Sequence, residues 1–387
     1  MERSWPEGFD KPSRWIFSPY RVCPIGAHVD HQLGVVCGVA IDRGITLGLS
    51  PRTDSHLRLR SLDFEGEIDI DLREVGPARG DWGDYARGAA TVIERSGHSV
   101  QRGFDAVLAA GLPVGGLSSS AAVGSAYLLA MTSLEEIEID RLELAKLHVR
   151  NEVDYIGLRI GLLDPAMILL ANENELLQLD CATEELQRAP ESTTAPSWRI
   201  AVAHSGIERR LAGTGYNNRV GECQEAAREL ARLEGLDPES VRVLHDIDPS
   251  AFRQHRERLT PISRRRASHY FEECERVRAG FAAWSRGDLR DFGKQMTDSG
   301  RSSIESYETG CPELQALYEA FVATGGVFGS RFSGGGFGGA CVAWVEAERG
   351  VDVLTTVEAE YRERFPEAAR HFRGFLCQSG PSAQMMD

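Results

Sequence analysis

Short segments of alternating or continuous apolar residues occupy much of the first half of the chain, and each has the length of one strand. They predict strands at 15–18, 44–50, 56–62, 67–72, 104–110 and 175–180. The alternation at 44–50, 56–62 and 67–72 is typical of half-buried antiparallel strands. Apolar positions at helical spacing predict helices at 85–95, 121–129 and 141–153.

The second half opens on a predicted strand, 198–204, and is then dominated by helical periodicity. Its remaining predicted elements are helices at 218–233, 265–283, 289–299, 312–324 and 352–365, and a strand at 340–345. Strands and helices therefore come in blocks, which favours an α+β architecture over regular βαβ winding.

The composition changes between residues 182 and 197, which contain two prolines, several Ser and Thr residues and few apolar ones. Such a segment predicts a surface connection and a candidate domain boundary. It divides the chain of 387 residues into two predicted domains, 1–190 and 191–387.

The net charge of the chain limits the classes of partner that it is expected to bind. It carries 58 acidic and 43 basic residues, for a net charge of −15. Such a surface repels nucleic acid and anionic membranes, so we expect neither as a partner. The eight cysteines are scattered without a Cys-x-x-Cys pair, and no apolar run is long enough to span a bilayer. These features predict a protein of the reducing cytoplasm.

The segment 113–122, Pro-Val-Gly-Gly-Leu-Ser-Ser-Ser-Ala-Ala, lies between the predicted strand 104–110 and the predicted helix 121–129. The N-terminus of a helix carries free N–H groups and partial positive charge, and glycine allows an anion to approach the backbone. The segment therefore predicts a phosphate-binding loop, although neither common phosphate-loop motif is present. The alternative is a glycine turn capped by serine.

Two other segments combine with this loop. Residues 21–32 bring Arg, His and Asp into one loop, and residues 333–339 form a second glycine cluster. Together the three segments resemble, in order and spacing, the signature motifs of the GHMP kinases. The first segment has the galactokinase form, and residues 215–223 resemble the sugar-binding segment of galactokinases. The resemblance implies an N-terminal domain like ribosomal protein S5 domain 2, a ferredoxin-like C-terminal domain, and an active site between them that binds ATP and Mg²⁺.

The resemblance also implies roles for individual residues. Asp164 matches the catalytic aspartate near the C1 hydroxyl of the sugar, and Arg21 matches the arginine that stabilises the transferred phosphoryl group and lowers the pKa of that aspartate. Ser120 and Glu152 match the magnesium ligands. The implied nucleotide-binding residues are Gly115, Gly116, Leu117, Ser118, Ser119 and Ser120. The implied sugar-binding residues are Ala27, His28, Asp30, Gly161 and Tyr216.

One position departs from galactokinases, which have Gly-Glu-His where this chain has Gly26, Ala27 and His28. A glutamate near the C6 position of the sugar repels a carboxylate, whereas alanine removes that charge and leaves space. The strings around Ala27, Asp164 and Tyr216 also resemble plant galacturonokinases. We therefore expect phosphorylation of D-galacturonic acid at C1. Arg43 and His31 are candidates for the cation that holds its carboxylate, by sequence proximity alone.

Two alternatives to a galacturonate kinase remain at this point. In the first, Ala27 only loosens substrate specificity, and the protein is a galactokinase or a kinase for another sugar. In the second, the protein is a regulator without catalytic activity. Some galactokinase relatives are non-catalytic regulators that bind sugar and ATP. The presence of Arg21, Ser120, Glu152 and Asp164 favours an enzyme.

Overall fold

The computed structural model describes residues 5, 7–113, 115–207 and 212–386, with side chains in the last range described from residue 215 onward. The strands described are β1 (Arg14–Val22), β2 (Val35–Pro51), β3 (His56–Ser61), β4 (Glu67–Asp71), β5 (Phe104–Ala110), β6 (Glu175–Asp180), β7 (Leu186–Pro190), β8 (Trp198–His204), β9 (Val327–Phe332), β10 (Ala340–Glu346), β11 (Arg373–Cys377) and β12 (Gln384–Met386). The α-helices described are α1 (Asp84–Arg95), α2 (Ser119–Leu134), α3 (Arg141–Arg150), α4 (Leu163–Leu170), α5 (Ala212–Glu234), α6 (Pro249–His255), α7 (Pro261–Ser285), α8 (Leu289–Glu305), α9 (Pro312–Ala323) and α10 (Gly350–Arg364).

The larger sheet has the strand order β12-β1-β2-β5-β3-β4, and β6 pairs with both β2 and β7. All its pairings are antiparallel except that of β3 with β5. The expectation of antiparallel strands was therefore wrong for one pairing. Helix α1 lies between β4 and β5 in the chain, and this crossover lets β5 enter the sheet in the direction of β3.

The smaller sheet has the order β11-β8-β10-β9 and is antiparallel throughout. One of its faces packs on α9 and α10 through buried residues such as Leu317, Phe321 and Val357. Strands and helices are thus segregated as expected for the predicted α+β class.

Three tryptophans connect the two sheets. Trp198 on β8 lies with its ring centroid 5.5 Å from that of Trp284 on α7 and 5.4 Å from that of Trp344 on β10. The indole N–H of Trp284 donates to the carbonyl of Ala189 on β7 at 3.0 Å. All three rings belong to one core that also contains the larger sheet. This shared core holds the two sheets together.

The segment 182–197, predicted as a surface connection, contains strand β7, which was not predicted. This strand pairs antiparallel with β6 and buries Ala189, whose carbonyl accepts from Trp284. Such pairing depends on distant residues and overrides the local signal of proline and serine. Strands β9, β11 and β12 were not predicted.

We keep the proposed domains 1–190 and 191–387. Strands β1 to β7 lie before the boundary between them, and the strands of the smaller sheet lie after it. Strand β12 returns from the C-terminal half to the edge of the larger sheet. Across the described ranges, every helix is too short or too polar to cross a membrane.

Helix α8 packs backbone to backbone against β9. A Cβ atom on Gly293 would lie 2.1 Å from the carbonyl oxygen of Phe328, and one on Gly329 would lie 2.0 Å from the carbonyl oxygen of Gly293. Any side chain at either position must therefore push α8 away from the sheet. By contrast, a Cβ atom on Gly221 in α5 would meet nothing within 4 Å.

We expect Gly293→Ala to lower the free energy of unfolding by about 1–3 kcal/mol, because the added methyl group overpacks the α8–β9 contact. The matched control Gly221→Ala is expected to raise it by about 0.5–1 kcal/mol, since alanine favours the helix and meets no neighbour. Urea unfolding followed by circular dichroism measures both. Equal effects of the two substitutions would contradict the close packing.

Candidate active site

A cavity of about 570 Å³ lies where the two glycine-rich segments meet the loop that follows β1. Its volume is in the range of small-molecule sites. Of the residues proposed from the sequence, it is lined by Arg21, Ala27, His28, Asp30, Gly115, Gly116, Ser118, Ser119, Ser120, Glu152, Gly161, Asp164 and Tyr216. Leu117 does not line it: its side chain is buried in the core, and its carbonyl accepts from the N–H of Arg21.

The two glycine-rich segments contact each other through their backbones. A Cβ atom on Gly116 would lie 2.6 Å from the nitrogen of Ala340, and one on Gly339 would lie 2.8 Å from the nitrogen of Gly116. Gly116 also has φ of 81°, which favours glycine. This contact explains why both segments need glycine. Val114 of the predicted loop lies outside the described residues.

Helix α2 begins at Ser119, immediately after these glycines. Ser118 adopts φ of 59° and ψ of 49°, and its hydroxyl donates to a carboxylate oxygen of Asp164 instead of capping the helix. No described side chain caps α2, so its first N–H groups are left to face the cavity. A helix N-terminus of this kind binds a phosphate group.

Arg21 and Asp164 form a bidentate ion pair on the cavity wall. The Arg21 Nε–Asp164 Oδ1 distance is 2.7 Å and the Nη2–Oδ2 distance is 3.0 Å. Burial opposes ionisation of Asp164, but the charge and hydrogen bonds of Arg21 outweigh it and hold the pKa of this carboxyl below its usual value. Arg21 also donates to Ser333 Oγ at 3.1 Å and to the carbonyl of Gly116 at 3.3 Å. One guanidinium thus connects the carboxylate to both glycine-rich segments.

Asp30 lies beside this pair in the 3₁₀ turn Asp30–Gln32. Burial, and then the negative charge of Asp164, raise the pKa of Asp30 to about 6. A Cβ atom on Gly161 would lie 2.6 Å from the Asp30 carboxyl carbon, so only glycine fits there. The chain before α4 therefore packs directly on the loop after β1.

Glu152 reaches the cavity from a π-helical turn, Asn151–Ile156, that continues α3. Its Oε1 accepts from Nε2 of the fully buried His148 at 3.0 Å. The absence of a side chain on Gly124 makes room for the His148 ring. The Glu152 carboxylate and the Ser120 hydroxyl both line the cavity, and hard oxygen donors of this kind suit Mg²⁺.

Neither cation proposed from the sequence fits the cavity. Arg43 does not line it and forms an ion pair with Asp42, with an Nη1–Oδ2 distance of 3.1 Å. Burial lowers the pKa of His31 to about 3, so its ring is neutral, and it hydrogen-bonds to Tyr307. Sequence proximity does not reveal where a long side chain points or whether burial removes its charge.

His28 is buried on the wall next to Ala27. Its ring stacks on that of Tyr307, with centroids 4.5 Å apart and an interplanar angle of 6°. Burial and the nearby Arg331 hold the pKa of His28 well below its usual value, so the ring is neutral. Its Nε2 has no partner among the described residues. A neutral imidazole with a free nitrogen is suited to bind a ligand hydroxyl.

Two arginines that line the cavity, Arg159 and Arg331, were not proposed from the sequence. Arg331 stands two residues before Ser333 and the glycine cluster, and this proximity was the signal that could have identified it. Glu273 on α7, whose carboxylate accepts from the N–H of Gly26 at 2.6 Å, was not proposed either. Nothing local marks Glu273, because its partner lies 247 positions away in the chain.

Comparisons with known proteins agree with this geometry. Residues 84–172 match the model of the GHMP kinases N terminal domain, and residues 277–363 match that of the GHMP kinases C terminal domain. The chain is 39% identical over 399 residues to a galacturonokinase of Arabidopsis thaliana, covering 96% of this chain and 93% of the relative. It is 32% identical to a galactokinase of Roseiflexus sp., covering 86% of this chain and 83% of that one.

Solved structures agree as well. The galactokinase of Lactococcus lactis, complexed with galactose, superposes with a TM-score of 0.88 at 28% identity, covering 96% of this chain and 94% of that one. The mevalonate kinase of Methanococcus jannaschii superposes with a TM-score of 0.66 at 16% identity, covering 97% of this chain and 100% of that one, and shares the fold. The chain therefore belongs to the GHMP kinase family and is a galactokinase-like phosphotransferase of that family.

Proposed function

We propose that this protein phosphorylates the C1 hydroxyl of D-galacturonic acid, with ATP as phosphoryl donor, to give galacturonate 1-phosphate and ADP. The observation that carries the proposal is the cavity wall at Ala27, where a methyl group lines the same cavity as the Arg21–Asp164 pair. The similarity to a galacturonokinase supports the same substrate. A uronate substrate requires space and favourable charge for its carboxylate at C6.

The charges of the cavity are consistent with this substrate. Among the described residues, the carboxylates that line it are those of Asp30, Glu152 and Asp164. Glu273 lies behind the loop, is fully buried, and faces the backbone of Gly26 and not the cavity. Among the described residues, no further carboxylate side chain therefore lines the cavity where Ala27 leaves space.

The Arg21–Asp164 pair can activate the acceptor hydroxyl. Asp164 is ionised and partly exposed to the cavity, so one of its oxygens can accept the proton of the C1 hydroxyl. As the sugar oxygen bonds to the γ-phosphorus, the bond from that phosphorus to the β,γ-bridging oxygen breaks and ADP leaves. Arg21 keeps Asp164 ionised before the transfer and places positive charge beside the phosphoryl group.

The triphosphate requires both hydrogen-bond donors and positive charge. The first N–H groups of α2 supply the donors. Glu152 and Ser120 would hold Mg²⁺, which neutralises phosphate charge when it is bound. His148 fixes the orientation of Glu152 from the side that faces the core.

A neutral hexose is the second candidate substrate, because the galactokinase of known structure was solved with galactose. Turnover of galacturonate, galactose and other hexoses with ATP, followed by ADP release, distinguishes the two. We expect galacturonate to have the highest kcat/KM. A much higher value for galactose would overturn the uronate assignment.

Asp164→Asn is expected to lower kcat by at least about a hundredfold, because the amide cannot accept the hydroxyl proton. ATP affinity should stay within about threefold, since Ser118 is the one described residue of the phosphate-binding loop that hydrogen-bonds to Asp164. Steady-state kinetics and calorimetric titration measure these quantities. The control is Asp154→Asn, at an exposed carboxylate that does not line the cavity. Near-normal turnover of Asp164→Asn would refute the catalytic role.

Ala27→Glu is expected to lower the ratio of kcat/KM for galacturonate to that for galactose by at least about tenfold, because two carboxylates then share a partly desolvated site. The matched control is Ala27→Gln, which has nearly the same volume without the charge. If the two variants shift the ratio equally, volume and not charge decides specificity.

The pKa of Asp30, raised to about 6, predicts a pH dependence. Protonation removes a hydrogen-bond acceptor from the cavity, so kcat/KM for galacturonate should fall as the pH is lowered from about 7 to about 5. Burial opposes ionisation of Asp164, but Arg21 outweighs it and lowers the pKa of that carboxyl, whereas burial lowers the pKa of His31 to about 3, so neither group titrates in this interval. Asp30→Asn should flatten this limb of the pH profile, and an unchanged limb would assign it to another group.

A further inference from the structure

Among the described residues, three arginines line the cavity, namely Arg21, Arg159 and Arg331. If the substrate is a uronate, as proposed above, its carboxylate needs a cation. Arg21 already forms a bidentate pair with Asp164 at the reacting end of the site. We propose that Arg331 is the specificity-determining residue that binds the C6 carboxylate of the sugar acid.

Arg331 lies on β9 and lines the cavity together with Ala27 and His28, although only 1% of it is exposed. Its Nε donates to the carbonyl of Phe332 at 2.9 Å. Its Nη1 and Nη2 donate to the hydroxyls of Ser299 at 2.7 Å and Ser303 at 3.2 Å. A guanidinium has five N–H groups, so three hydrogen bonds to the described residues fix its plane and leave two donors.

The counterion of Arg331 is shared. Glu273 Oε1 lies 3.8 Å from Arg331 Nη1, beyond hydrogen-bonding distance. The same carboxylate accepts from the N–H of Gly26, from the hydroxyl of Ser299, and from Nε of Arg276 at 2.7 Å. Arg276 has a further carboxylate, Glu272, at 3.7 Å. No described carboxylate accepts a hydrogen bond from Arg331, so its remaining donors can bind another anion on the side of the cavity.

The same cluster holds the loop that carries Ala27. Glu273 fixes the N–H of Gly26, and Nε2 of His269 donates to the carbonyl of Ala27 at 3.0 Å. Arg331 is the nearby charge that contributes most to the lowered pKa of His28, after burial. The positive charge of Arg331 therefore acts on the part of the cavity wall beside His28 and Ala27, where this chain has alanine and not glutamate.

Arg159 is the competing candidate. It is exposed, and it follows Leu158, whose N–H donates to the carbonyl of Glu152 at 2.8 Å. It thus belongs to the segment next to Glu152, and an exposed, flexible cation contributes little to the binding of an anion. Arg331 is held in place and partly desolvated, which strengthens a charge-assisted hydrogen bond.

The test measures kcat/KM for galacturonate and for galactose in the wild type and in Arg331→Met, Arg331→Lys and Arg159→Gln. In Arg331→Met, the value for galacturonate should fall about a hundredfold more than the value for galactose, because only the acid loses an ionic partner. Arg331→Lys keeps the positive charge but lacks the planar guanidinium that can bind a carboxylate with two hydrogen bonds. Its ratio of kcat/KM for galacturonate to that for galactose should therefore fall about tenfold. The control Arg159→Gln should leave the ratio unchanged.

The outcomes separate this inference from the proposed function. If the wild type prefers galacturonate but the Arg331 variants lose both substrates equally, Arg331 is only structural and the inference is overturned alone. A selective loss in Arg159→Gln overturns it in the same way. If the wild type phosphorylates galactose and not galacturonate, the proposed substrate fails, and this inference fails with it. Should Arg331→Met not fold, the ratio in Arg331→Lys decides.

Discussion

The Arg21–Asp164 ion pair is the interaction on which the rest of the site depends. Arg21 comes from the end of β1 and Asp164 from the first turn of α4, and the pair also binds the phosphate-binding loop through Ser118. Through Ser333 it reaches the glycine cluster of the C-terminal half. Removal of either partner leaves a buried charge uncompensated, so the pair stabilises the site, and Arg21 keeps the Asp164 carboxyl ionised.

Close contact between backbones makes this arrangement possible. Gly116 and Gly339 allow the two glycine-rich segments to touch, and Gly161 allows the chain before α4 to pack on Asp30. Each contact excludes even a methyl group, so glycine is required for approach as well as for backbone conformation. The result brings a helix N-terminus, a carboxylate and a sugar-sized space into one cavity.

Electrostatic control of the substrate extends beyond the residues that line the cavity. Glu273 never reaches it, yet this carboxylate fixes Gly26, hydrogen-bonds to Ser299 and partly neutralises Arg331. The effect on specificity of substituting one wall residue, such as Ala27, therefore also depends on the charged residues of α7 and β9. Specificity for an acidic or a neutral sugar would then be a property of this whole cluster.

The sequence by itself determined the α+β class, most of the helices and strands, and the segments that form the cavity. These follow from local signals: periodicity, glycine and serine at a strand-to-helix junction, and polar motifs in a fixed order. The tertiary structure alone decided the parallel pairing of β3 with β5, the strand β7, and the contacts of Glu273 and Arg331. It also excluded Arg43 and His31 as cations of the cavity. The physical reason is that pairing, burial and charge state depend on residues far apart in the chain, which no local pattern records.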